Sequence, residues 1–250
     1  MLFRSFDRAG IAELIRAGIP VVIDKQSGLM HDKFAVIDGR IVWTGSFNLT
    51  ENDARRNNNN AIMIYSSELA DIFLAEFNEM FVDYSFGNKD RFGFFDGFWN
   101  SGVYINGTVI KAFFSPDDDV EAIIADRVRQ AAVSVHFMAF SFTSDTIGDA
   151  MVEMHHQGVK VTGIMEKVGS GTKYSEYAKM KSAGIAVYLD KNPFLMHHKI
   201  IIIDGRIVII GSFNFTKNAN ELNDENIIII DNVEIAQWYV DECVKLGAKN

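Results

Sequence analysis

Two short stretches hold the residues best suited to chemistry at phosphorus. His31-Asp32-Lys33 and His197-His198-Lys199 each place a histidine and a lysine two positions apart. In an extended strand alternate residues face the same way, so His31 shares a face with Lys33, and His197 with Lys199. Histidine can act as nucleophile or proton carrier near neutral pH. A histidine beside a lysine on one face is unfavourable for both unless an anion lies between them. Downstream of the pairs come Gly45-Ser46-Phe47-Asn48 and Gly211-Ser212-Phe213-Asn214. The asparagines can donate to phosphate oxygens, and the glycine and serine let the backbone approach closely. Two such half-sites meeting across a pseudo-two-fold axis would turn two histidines on one phosphorus, one to attack and one to protonate the leaving oxygen.

The elements that must position these groups are themselves repeated. Shifted by 166 positions, Ala17–Thr50 lies on Ala183–Thr216 without a gap. Roughly 20 of the ~34 paired positions are identical, which marks an internal duplication. In each copy two β-rich runs are joined by Asp-Gly, at Asp38-Gly39 and Asp204-Gly205, a tight-hairpin signal because glycine tolerates positive φ. Ahead of the hairpins the spacing predicts a helix ending at a glycine (13–18, 179–184) and a strand (20–23, 186–189). After them it predicts a strand (62–65, 227–230) and a helix (67–81, 233–246). The second copy has an earlier helix–strand–helix–strand section over 120–165. At the same offset its counterpart would precede Met1, so about 50 residues are missing from the first copy. Either the first half is a reduced domain or the chain is a fragment of a longer protein, and the second reading is preferred. The expected fold is α/β: two similar halves over 1–84 and 110–250, each a mixed sheet flanked by helices, with pseudo-two-fold symmetry and a linker at 85–109. The first half is expected to be truncated at its N-terminus relative to the second. The Gly- and Phe-rich run Arg91–Trp99 could stack bases or touch lipid, but it reads better as a linker tucking its rings into the seam.

The chain has 250 residues and a formal net charge of −9. Proteins that grip nucleic acid by bulk electrostatics usually carry a basic excess, so an anionic substrate must here be held by a local cluster of positive charge. The single cysteine, Cys243, excludes an intrachain disulfide. No apolar run is long enough to span a bilayer, and the N-terminus lacks a signal-peptide layout. The chain is expected to be soluble and, as given, cytoplasmic, with export open if an N-terminal segment is missing.

Several residues have plainer readings. Asp38 and Asp204 suit a structural role in their turns. Ser46 and Ser212 lack a nucleophile-elbow context and are phosphate donors or internal polar groups. His198 points away from His197 and reads as a packing or surface residue. His136, His155 and His156 have no metal-ligand spacing, and no metal or cofactor is expected.

Taken together, His31, Lys33, Asp38, Gly45, Ser46 and Asn48, repeated as His197, Lys199, Asp204, Gly211, Ser212 and Asn214, form His-x-Lys-x4-Asp-x6-Gly-Ser-x-Asn twice. This resembles the phospholipase D superfamily, the HKD enzymes. The Asn57–Asn60 run and Met196-His197-His198-Lys199 look like its bacterial and archaeal nucleases and hydrolases. The resemblance implies metal-independent phosphodiester hydrolysis through a covalent phosphohistidine, with His31 as nucleophile and His197 as general acid, then base. Lys33, Lys199, Asn48 and Asn214 would hold the nonbridging oxygens, with Ser46, Ser212 and Asn59 as further substrate contacts. Many members carry a carboxylate eleven residues after the asparagine. The second copy has Glu225 there, whereas the first departs from the pattern with Asn59. By analogy with members similar to tyrosyl-DNA phosphodiesterase, Glu225 would serve His31 across the interface. A nuclease is the preferred activity. A phospholipase D, or an inactive phosphate-binding remnant, are the alternatives. Because both motifs lie in one chain, no oligomer is required.

Overall fold

The computed structural model describes residues 2–3, 9–87 and 102–247; the aromatic run Arg91–Trp99 lies outside them. The first half comprises β1 (Leu2–Phe3), α1 (Ala9–Arg16), β2 (Val22–Ile23), β3 (Phe34–Ile37), β4 (Ile41–Gly45), α2 (Glu51–Arg55), β5 (Ala61–Tyr65) and α3 (Ser67–Phe81). The second comprises β6 (Val103–Ile105), β7 (Thr108–Ser115), α4 (Val120–Arg129), β8 (Ser134–Ala139), α5 (Asp145–His156), β9 (Lys160–Met165), α6 (Glu176–Ser182), β10 (Ala186–Leu189), β11 (Lys199–Ile203), β12 (Ile207–Gly211), α7 (Lys217–Glu221), β13 (Glu225–Asp231) and α8 (Val233–Gly247).

Strand β11 shows why the second sheet is the backbone of the molecule. Its sequence Lys-Ile-Ile-Ile-Ile is buried on both faces, as a β-branched run in a doubly covered sheet should be. Ile201 and Ile203 join the core under α4, α5 and α6, whereas Ile200 and Ile202 join the core under α3 and α8. The sheet runs β10-β9-β8-β11-β12-β13-β7-β6, parallel from β10 to β8 and antiparallel from β8 onward. It is a mixed sheet flanked by helices, as expected.

The first half is simpler than expected. Its larger sheet, β3-β4-β5, is antiparallel throughout, and parallel pairing there is confined to β1 and β2. Its core is continuous with that of the second half. Val42, Ile64, Leu69 and Phe73 share one cluster with Phe114, Val208 and Ile210. Phe34, Phe73 and Phe114 meet edge-to-face at centroid separations of 5.1 Å each, tying β3, α3 and β7 together.

The stretch 85–109 is not linker throughout. Asn106 and Gly107, with φ of 47° and 86°, turn a hairpin between β6 and β7, so the second half's sheet begins at Val103. Asn-Gly between β-rich runs is a strong hairpin signal, masked here by the Gly- and Phe-rich composition around it. Among the described residues no helix is long and apolar enough to cross a membrane.

Candidate active site

The two halves meet by exchanging equivalent backbone bonds. Asn58 N donates to Leu195 O (2.8 Å) and His197 N to Asn58 O (2.8 Å). At the positions 166 residues away in each case, Asp224 N donates to Leu29 O (2.9 Å) and His31 N to Asp224 O (2.9 Å). Each motif histidine is thus suspended from the opposite half, and the register that sets Met30 beside Asp224 sets His31 beside Glu225.

Within each half the glycine–serine pair anchors the loop that follows the hairpin. A Cβ on Gly45 would fall 2.3 Å from Asn60 O, and one on Gly211 2.1 Å from Asn226 O, so neither position has room for a side chain. That closeness lets Ser46 N reach Asn60 O (3.0 Å) and Ser212 N reach Asn226 O (2.9 Å). The hydroxyls are internal as well. Ser46 Oγ donates to Asn60 Oδ1 (3.0 Å) and Ser212 Oγ to Glu225 Oε2 (2.7 Å), with both serines fully buried. Of the two roles open to these serines, the structure shows the internal one. Thr50 and Thr216 then cap α2 and α7 in matching fashion.

The histidines sit in different environments. His31 Nδ1 lies 2.7 Å from Glu225 Oε2. Burial pushes the Glu225 carboxyl up, but His31, Lys33 and the Ser212 hydroxyl together hold it below the usual carboxylate range. An ionised carboxylate only accepts, so Nδ1 of His31 carries the proton and Nε2 keeps its lone pair. Burial lowers the pKa of His31 from its usual value, against the pull of Glu225 and with help from Lys33 and Lys199. Asn223 Nδ2 steadies the other carboxylate oxygen at 3.2 Å.

Among the described residues no carboxylate contacts the ring of His197. Its Nδ1 faces the carbonyl of Ser46 at 3.1 Å, and its Nε2 faces Lys199 Nζ at 3.2 Å. Burial and Lys199 push it down to about 3, opposed by Asp53, while Lys33 and His31 add to the depression. Phe140 packs edge-on against its ring at 4.7 Å and lies under Lys199 Nζ at 4.9 Å.

Both lysines are buried. Lys33 Nζ donates to His31 O (2.5 Å) and Lys199 Nζ to His197 O (2.9 Å). Burial brings Lys33 down to about 8 and, with Lys33 alongside, brings Lys199 well below its usual value. The two buried lysines supply the positive charge of the site in an acidic protein, with the two imidazoles beside them as neutral groups.

The remaining expected residues are less direct. Asn48 gives its N and Nδ2 to Asp53 Oδ2, at 2.6 and 2.7 Å. Asn59 Nδ2 donates to the Asp53 and Asn57 carbonyls, so its amide N–H groups are committed within its own half. Asn214 leaves its Oδ1 buried and unpartnered. Asp38 and Asp204 both take φ of 53° in their turns, and Asp204 also accepts from the backbone of Ala132, Val133 and Ser134. His198 is buried, with Nδ1 3.2 Å from Asn60 Oδ1, and His136 contacts Thr162. Sequence reasoning missed Asp53, Asn223 and Phe140. Asp53 had one readable signal: its counterpart in the second copy is Ala219, the reverse of the Asn59/Glu225 exchange.

The family model described as "Cardiolipin synthase, PLD-like domain" matches residues 2–81 and 124–246. The chain belongs to the phospholipase D superfamily. Among curated relatives of this phospholipase D-family chain is a "Phospholipase D" of Rickettsia bellii, 33% identical over 141 residues, which are 56% of this chain and 70% of that one. A "Mitochondrial cardiolipin hydrolase" of Chlamydomonas reinhardtii is 36% identical over 121 residues, 48% of this chain and 54% of that one. Among solved structures, the phospholipase D family member Nuc from Salmonella typhimurium superposes with a TM-score of 0.53 at 29% identity, over 56% of this chain and 95% of that one. Phosphatidylserine synthase from Haemophilus influenzae gives 0.63 over 86% of this chain and 61% of that one; at 14% identity it shares the fold. The superfamily's phosphodiesterase chemistry is therefore the chemistry of this chain's family.

Proposed function

We propose that this protein hydrolyses phosphodiesters with His31 as nucleophile. The observation that carries the reading is the Glu225–His31 contact of 2.7 Å, which fixes the tautomer and leaves the Nε2 lone pair free. In the first step the His31 Nε2–P bond forms and the P–O bond to the leaving group breaks. The departing oxygen takes a proton from Nε2 of His197, and Glu225 balances the charge on the phosphorylated imidazole. In the second step water adds to phosphorus as the P–N bond breaks, and His197 recovers a proton from that water. Lys199 supports the acid role. Its ammonium sits 3.2 Å from His197 Nε2 and orients the ring, which takes its second proton from solvent as the anionic phosphate enters, so that Lys199 keeps its own charge. Lys33 and Lys199 stabilise the oxygens of the pentacoordinate state.

The preferred substrate is a nucleic acid strand. Arg56 stacks over Phe194 at 5.2 Å, three residues ahead of His197, an exposed cation–aromatic platform suited to a base. A phospholipid head group is the second reading. Leu49, beside Asn48, is 81% exposed, and the relatives named phospholipase D and cardiolipin hydrolase point the same way. The test is parallel turnover of single-stranded DNA, RNA, and phosphatidylcholine and cardiolipin vesicles, with a bis-aryl phosphodiester as reference. Turnover of vesicles alone would replace the nuclease reading. No turnover of any substrate by folded protein would leave a phosphate-binding remnant.

A further inference from the structure

We infer that the face of the first half opposite its reactive histidine binds a hard divalent cation, calcium in preference to magnesium. Carboxylate oxygens of Glu76 and Glu79 on α3 and of Asp117 in the β7–α4 loop lie within 4.8 Å of one another. Asp32, between His31 and Lys33 in the chain, is the largest single charge acting on Glu76, and Asp117, Glu79 and Asp224 add to it. Both oxygens of Asp32 are buried and neither has a hydrogen-bond partner. An unpartnered buried carboxylate is costly, and more so beside others of its own sign. Among the described residues none of these five carboxylates forms an ion pair. Lys33 is, among the described residues, the cation whose charge relieves Asp32, and its ammonium is turned to the carbonyl of His31.

The internal repeat provides a control within the molecule. At the offset of 166, Asp32, Glu76 and Glu79 correspond to His198, Glu242 and Lys245. In the second half Glu242 sits 3.9 Å from His198 and 2.7 Å from Lys245, so that corner is balanced by its own side chains. In the first half the two basic positions have become acids. An all-oxygen, all-anionic donor set selects calcium or magnesium over softer ions, and its spread favours the larger, more adaptable one. Asp224 extends the cluster to the seam, because its backbone carbonyl holds His31 N. The cation therefore braces the segment that carries the nucleophile without touching phosphorus.

The experiment is thermal unfolding of the full chain near neutral pH in EDTA, in millimolar calcium and in millimolar magnesium, at matched ionic strength. Calcium well above its dissociation constant is expected to raise the midpoint by roughly 5 °C or more, and magnesium by less. Asp117→Asn, at an exposed position, and Glu79→Gln should each remove most of the shift, whereas Glu242→Gln should leave it. No shift with either ion, or one undiminished in both Asp117→Asn and Glu79→Gln, overturns the site. The readout is independent of activity: kcat on a bis-aryl phosphodiester should agree within about twofold between EDTA and calcium at temperatures below both midpoints. An inactive protein that still shows the calcium shift would sink the phosphodiesterase reading and keep the cation.

Discussion

Replacing Glu225 by glutamine probes the central claim about His31. The amide keeps the size of the carboxylate, and its oxygen can still accept from His31 and Ser212, but its NH2 then faces the NH2 of Asn223, so the charge is lost together with one hydrogen bond. On the proposed path the phosphorylated imidazole is cationic, with its Nδ1 2.7 Å from the carboxylate oxygen. For charge centres about 4 Å apart at an effective dielectric of about 20, that attraction is on the order of 4 kcal/mol. Since each 1.36 kcal/mol is tenfold in rate, losing it corresponds to about a thousandfold. The retained hydrogen bond offsets part of this, so kcat is expected to fall by about 10²–10³-fold. The assay is steady-state turnover of a bis-aryl phosphodiester over a pH series, with circular dichroism to establish folding. The acid limb should also move to lower pH, because Glu225 is the largest influence raising His31. A folded Glu225→Gln protein that keeps kcat within about fivefold, while His31→Ala is inactive, would refute the reasoning.

Four further outcomes are expected. His197→Ala should cost at least about tenfold more with an alkyl leaving group than with p-nitrophenol, measured as the ratio of kcat values, because only the alkoxide needs a proton as it departs. Asp53→Asn should lower kcat by about tenfold and move the alkaline limb of kcat, which reports the substrate-bound protein, to lower pH, since Asp53 is the charge that raises His197. Gly211→Ala should lower unfolding free energy in urea by roughly 2–4 kcal/mol, because the new Cβ meets backbone atoms of Asn226 and Ile227 that cannot yield. His197 is held down to about 3 when folded, so the unfolded chain binds its proton more readily. Its contribution stands above the ordinary histidine range of about 6.5 and is lost as pH falls through that window towards 3. In His197→Asn the drop in urea midpoint between pH 7 and pH 5 should therefore be smaller than in the parent.

The duplicated hairpins were legible because Asp-Gly turns and β-branched runs are local signals, and the 166-residue offset multiplied them. His31 and Lys33 lie just ahead of β3, and the bond that joins them, from the lysine ammonium to the histidine's own carbonyl, is not one that strand alternation foresees. Other features depend on contacts that no short window contains. Ser46 and Ser212 look like surface donors until Asn60 and Glu225 are seen to take their hydroxyls. Asp53 acts on His197 through space from a helix in the other half. The acidic corner draws Asp32, Glu76, Asp117 and Asp224 from four separate segments, and each alone reads as an ordinary solvated charge. The β6–β7 hairpin carried a readable Asn106-Gly107 signal, but the glycine- and phenylalanine-rich stretch before it outweighed two residues.

The unequal backing of the two histidines has a consequence for products. One ring leans on a carboxylate and the other on a peptide oxygen, so the pseudo-symmetric cleft has a front and a back. On the proposed path an unsymmetrical diester must enter one way round to react well. A polymer cut here would keep its phosphoryl group on the same terminus at every scission.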